Sequence, residues 1–89
     1  MATATLPNSR QTHLVASVAR ALTLANDAAS ARGTDPADSL VTISEEGSSA
    51  GRVWRIHYGP RDYIGCRGGD LIVLVDEDSD AVQRVMRGQ

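Results

Sequence analysis

The segment Trp54-Arg55-Ile56-His57-Tyr58, followed twelve residues later by Asp70-Leu71-Ile72-Val73-Leu74-Val75-Asp76, constrains this chain more than any other feature. Side chains alternate between the two faces of a β-strand. The first segment therefore reads as amphipathic, with Trp54, Ile56 and Tyr58 on one face and Val53, Arg55 and His57 on the other. In the second, five consecutive apolar residues stand between aspartates, the pattern of a strand buried on both faces. A chain of 89 residues has little material with which to cover two sheet faces. One face falls to an N-terminal helix. The other is left to a loop, a second copy or a different protein, which points to a binding module rather than an enzyme.

The helix is written in the first third of the chain. Leu14, Val18, Leu22 and Ala25, with Val15, Ala21 and Ala29 beside them, recur at three- and four-residue spacing. Arg10, Arg20, Asn26 and Asp27 fall largely on the opposite side. That is an amphipathic helix of about six turns. Asn8 or Ser9 can cap its start, and Gly33, where a positive φ is easily adopted, marks its end. The stripe is narrow and rich in alanine, which suits close approach to a flat sheet. Residues 1–8, small and polar, read as a disordered arm, leaving 9–89 as one domain.

Beyond the helix the pattern changes to short alternating runs. Residues 34–39, with Asp35-Pro36, form a connecting turn. A first strand covers 40–44, with Val41 and Ile43 on one face, and 45–51 read as a polar hairpin loop. The second strand covers 52–58, and Gly59-Pro60-Arg61-Asp62 is a turn signal. Tyr63-Ile64-Gly65-Cys66 reads as a short edge segment and Arg67-Gly68-Gly69 as a tight turn into the third strand, 70–76. The last segment has two readings: a short helix carrying Val82, Val85 and Met86, or a hairpin turn at 77–80 followed by a fourth strand over 81–87. The expected fold is α+β, one long N-terminal helix packed on an antiparallel sheet of three to four strands, since every connection is a short turn or hairpin.

Composition narrows the partners. A net charge of −2 argues against nucleic acid, whose binders gather basic residues on one face. All nine basic residues are arginine and phenylalanine is absent, which we read as the coding bias of a GC-rich bacterial genome. Cys66 is the only cysteine, so no intrachain disulfide forms and nothing requires an oxidising compartment. The start of the chain carries no secretory pattern, and no apolar run approaches the ~20 residues that span a bilayer. The expected location is the cytoplasm, with no membrane partner.

The order helix, then strands, with a Trp-centred strand and a closing unit of apolar strand, Asp, turn and strand, resembles the small cystatin-like α+β families. Two are similar in pattern: PepSY-type domains, and small immunity proteins of bacterial polymorphic toxin systems. The second shares Gly51-Arg52-Val53-Trp54, then Gly68-Gly69-Asp70 leading into the apolar strand, then a strand ending near Arg87-Gly88-Gln89. The resemblance covers about residues 10–89. Those families place glycine in the last turn where this chain has Asp80, a residue that tolerates the left-handed conformation better than most. The resemblance implies an inhibitor or immunity protein that neutralises a partner by surface contact. It also favours the strand for 81–87, and no catalytic residues carry over.

Candidate chemistry is sparse. Asp76-Glu77-Asp78-Ser79-Asp80 has the spacing of a calcium loop, but Ala81 and Arg87 stand where that loop needs glycine and a bidentate glutamate. A solvated acidic turn is the better reading, and no metal or cofactor is expected. Cys66 with His57 offers a nucleophile and a base, yet no oxyanion-forming motif or third orienting group accompanies them. Arg67-Gly68-Gly69 precedes a strand, whereas phosphate loops precede a helix. Trp54 and Tyr58 belong to the core. The partner-binding surface is placed on the opposite sheet face, at Val53, Arg55 and His57, with Arg67 at the rim. The expected function is a non-enzymatic protein-binding module, most specifically an immunity or inhibitor protein acting on a toxin. Two alternatives stand beside it: a homodimeric accessory or regulatory domain, and a small enzyme using Cys66.

Overall fold

The computed structural model of the protein describes residues 9–48, 51–60 and 70–87. One helix, α1 (Ser9–Ala31), is followed by a single 3₁₀ turn (Pro36–Asp38) and four strands: β1 (Ser39–Ser48), β2 (Gly51–Pro60), β3 (Leu71–Asp76) and β4 (Ala81–Arg87). The strands pair antiparallel in the order β1-β2-β3-β4, a meander in which each strand neighbours the next in sequence. The fold is α+β, as its patterning predicts, and 81–87 form a strand.

Helix α1 stops where glycine permits it. Gly33 has φ of 83°. Its N–H donates to the Ser30 carbonyl at 3.1 Å and the Thr34 N–H to that of Ala29 at 2.9 Å, the paired bonds of a Schellman motif. The helix lies over β2, β3 and β4 through an alanine stripe. Ala21, Ala25 and Ala29 are 2%, 0% and 0% exposed, because side chains without a γ-carbon let the helix axis settle close to the sheet. Beneath them lie Trp54, Ile56 and Tyr58 of β2 and Leu71, Val73 and Val75 of β3. Cross-strand register aligns these in rows: Trp54 opposite Val75, Ile56 opposite Val73, Tyr58 opposite Leu71.

Four polar ties lock the helix onto this platform. The Trp54 indole N–H donates to Ser17 Oγ at 2.9 Å, and the Tyr58 hydroxyl to Asn26 Oδ1 at 2.7 Å. Arg20 Nε bonds Asp80 Oδ2 at 3.0 Å, and Arg87 Nη2 donates to the Arg32 carbonyl at 3.0 Å. Each buried polar ring atom thus finds its partner on the helix, the condition under which Trp and Tyr are tolerated in a core.

Several sequence expectations are corrected. The β1–β2 hairpin is longer than expected: 45–48 and 51 are strand, not loop, and pair with β2 through Glu45↔Trp54, Glu46↔Val53 and Ser48↔Gly51. The polar residues there are held by cross-strand charge, Arg52 to Glu45 at 3.6 Å and Arg55 to Glu46 at 3.7 Å. At the other end Gly59 and Pro60 continue β2 instead of turning. The connecting turn includes a 3₁₀ turn, capped by Asp35, whose carboxylate accepts the Ala37 N–H at 3.0 Å. Leu14 and Val15 share the helical spacing but are 51% and 68% exposed, so the covered stripe begins only at Val18. The arm at 1–8, the segment Tyr63-Ile64-Gly65-Cys66 and the turn Arg67-Gly68-Gly69 lie outside the described residues.

Candidate functional site: the open face of the sheet

Strand alternation sends a second set of side chains away from the helix. Register places them in three rows across the sheet. The first runs Thr42, His57, Ile72, Met86; the second Ser44, Arg55, Leu74, Arg84; the third Glu46, Val53, Asp76, Ala81. Leu40 extends the first row's end of the face and is 42% exposed. Among the described residues no helix or strand covers this face. Val53, Ile72, Leu74 and Met86 are nevertheless half-buried, shielded by their cross-strand neighbours.

Val53, Arg55 and His57 are brought together here as expected, beside Ile72 and Leu74. Arg67 and Cys66 lie outside the described residues, so nothing places them at the rim or beside His57. Two of the three are already engaged. His57 Nε2 sits 2.8 Å from Asp70 Oδ2, and its ring lies over Gly59, where an added Cβ would stand 3.1 Å from Cε1. A side chain at position 59 would therefore press on the imidazole, which would have to give by a few tenths of an ångström. Arg55 reaches Glu46 at 3.7 Å, with both side chains partly in water, an arrangement worth at most about 1 kcal/mol.

Arg84 was missed by sequence reasoning. It lies on β4, two strands from Arg55 with Leu74 between them, it is exposed, and no ion pair is formed by it among the described residues. The signal was available in the alternation of 81–87, but only once that segment is known to be a strand. A β-bulge also hides it: Leu74 faces Arg84 while Val75 faces Val82, so Gln83 is an extra residue and the simple alternation breaks.

The acidic residues are divided between the two faces, with Glu46 and Asp76 on the open one. Glu45 stands opposite Trp54, on the helix side of the sheet, with Arg52 and Glu77 beside it. Glu77 Oε2 is shut off from water with no hydrogen-bond partner. Its carboxyl is pushed up to about 7, first by burial and then by a hydrogen bond to Glu45 and the charge on it, with Asp78 adding and Arg52 opposing. In the acidic turn, Asp76 Oδ1 accepts the Asp78 N–H at 3.0 Å and Asp80 is committed to Arg20. Asp80 adopts φ of 53°, the left-handed conformation foreseen for it. These carboxylates close a turn and tie down a helix.

No helix among the described residues is long and apolar enough to cross a membrane. Compared with protein-family profiles, with curated proteins and with solved structures, the chain finds no match in any of the three.

Proposed function

We propose that this chain is a non-enzymatic protein-binding module, in its most specific form an immunity or inhibitor protein that neutralises a toxin by surface contact. One observation carries the reading. The open sheet face sets half-buried Ile72, Leu74, Met86 and Val53 among Arg55, His57 and Arg84 on a rigid support. Sheet strands hold such side chains in place, so little ordering entropy is lost when a partner docks. An aliphatic centre with arginine beside it matches the anatomy of protein interfaces, where arginine is favoured and lysine is not.

The partner that fits is a protein presenting an apolar patch with a carboxylate at its border. Leu74 and Ile72 would meet the patch, and the fork of Arg84 would take the carboxylate in two parallel bonds. Arg55 must first release Glu46, a weak tie, and then serves the same role. The neighbouring row with Glu46 and Asp76 repels a second acidic group and so sets the orientation.

The test is co-expression with the product of the adjacent gene. The reading expects that product alone to arrest growth, and this chain to relieve the arrest and co-purify with it as a heteromeric complex. Arg84→Glu should raise the dissociation constant by about 100-fold, because it reverses a charge in a desolvated contact, with thermal stability unchanged. A neighbour that is harmless and unbound refutes the toxin reading. A complex indifferent to Arg84→Glu and Arg55→Glu refutes the placement of its interface.

A further inference from the structure

The two edges of this sheet are built differently. β4 is guarded in the ways that discourage strand addition: a bulge disturbs its pairing with β3, arginines occupy 84 and 87, and Arg87 is tied back to the helix end. β1 carries none of these devices. It spans ten residues, Ser39–Ser48, pairs with β2 in unbroken register, and contains no proline, lysine or arginine. Its stretch from Ser39 to Ser44 has no charge at all. Among the described residues no strand pairs with its outer edge.

The same edge is bare above. Val41 and Ile43 lie on the helix side, opposite Tyr58 and Ile56, but the helix sits over β2, β3 and β4. Val41 is left 39% exposed and Leu40, on the other face, 42%. An uncharged strand edge flanked on both faces by aliphatic side chains is a template for another strand.

We propose that β1 pairs antiparallel with β1 of a second copy, joining two four-stranded sheets into one of eight strands with both helices on the same side. Self-pairing about a twofold axis normal to the sheet keeps faces matched, so paired residue numbers must share parity. Centres at Ser39 or Leu40 pair at most three β1 residues and a centre at Ser44 sets Glu45 against Ile43, which leaves three centres within the uncharged stretch. Centring on Ile43 sets Glu45 against Val41 and Glu46 against Leu40, burying carboxylates on aliphatics. Centring on Thr42 sets Asp38 against Glu46, like against like. Centring on Val41 avoids both: Val41 meets its twin, Leu40 meets Thr42, Ser39 meets Ile43 and Asp38 meets Ser44. The glutamates then fall beyond the paired core. The uncovered Val41 of each copy meets its twin in the gap between the two helices, with half-buried Ile43 beside it. A second copy is the occupant because this strand supplies its own complement, in sequence and in charge. The open face of the sheet remains free in the dimer.

Sedimentation of the 89-residue chain over a range of concentrations tests the association. The expected species has twice the 9.4 kDa chain mass. Val41→Lys sets two ammonium groups together on the twofold axis and should raise the dimer dissociation constant by about 100-fold or more. Val82→Lys, on the β4 edge, should leave it unchanged. Crosslinking reads the register without depending on how a charge is tolerated. In a Cys66→Ser background, Val41→Cys should oxidise to a disulfide-linked dimer, and Ile43→Cys should not. A wild-type chain that stays monomeric at high concentration overturns the proposal. So does a dimer lost with Val82→Lys but kept with Val41→Lys, or a disulfide that forms only from Ile43→Cys.

Discussion

Replacing Glu77 with glutamine should stabilise the protein, and only above a certain pH. The Glu77 carboxyl lies against Glu45, with one oxygen shut off from water and unpartnered, and is held near 7 instead of 4.5. Because its folded value lies above its unfolded value, the folded state holds a proton that the unfolded state releases. The stabilisation from this proton is complete below about pH 4.5 and is lost as pH rises through about 7. In full burial such a displacement corresponds to about 3 kcal/mol. Glu77 is only half-buried as a whole, and screening reduces the expected effect to about 1 kcal/mol. Glutamine removes the charge, keeps the shape and can donate to Glu45. Urea unfolding followed by Trp54 fluorescence should therefore find Glu77→Gln equal to wild type at pH 4.5. It should be about 1 kcal/mol more stable at pH 8, a rise of about 4–8 °C in Tm for a domain of this size. Groups common to both proteins cancel in the difference between them. A difference that stays flat from pH 4.5 to 8 would refute the raised Glu77 carboxyl.

Four further outcomes test the core. Ala25→Leu, at a position with no exposed surface, should destabilise by about 1–3 kcal/mol through overpacking of the helix against the sheet, whereas Leu14→Ala should change thermal unfolding by less than about 0.5 kcal/mol. Tyr58→Phe strands the Asn26 carbonyl oxygen and should cost about 0.5–1.5 kcal/mol in urea unfolding. In the native protein an alkaline absorbance titration should show one tyrosine ionising only near pH 12, because burial raises the Tyr58 phenol to about 12.

The helix, the meander and the core were legible because each rests on a periodicity. Ala21, Ala25 and Ala29 repeat at helical spacing, and Trp54, Ile56 and Tyr58 at strand spacing, so the faces that meet could be named before any contact was known. The ends of the elements were less legible. Glu45, Glu46 and Gly47 resemble loop residues by composition, yet pairing with Arg52 and Arg55 across the hairpin extends the strand through them. Leu14 and Val15 resemble core by spacing, yet a face is buried only where something lies beneath it. The open face was legible at Val53, Arg55 and His57, since alternation decides their direction. Arg84 was not, because a bulge resets the alternation of β4. Likewise no local pattern announces that Glu45 and Glu77, 32 residues apart in sequence, converge beside Arg52.

The placement of the helix divides the molecule into parts of unequal cooperativity. Its polar ties reach β2, β4 and the turn before β4, so helix, β2, β3 and β4 open together or not at all. Of the described β1 side chains only Ile43 packs against the core, and β1 is held chiefly by its ladder to β2. Local opening free energies follow such differences in buried contact. In a chain not paired with a second copy the first strand can therefore peel away while the rest of the domain stays folded, and its amides should then exchange with solvent by a route that does not require global unfolding. In chain order β1 stands between the helix and the strands that the helix clamps. The last part of the fold to be secured thus lies in the middle of the sequence, not at an end.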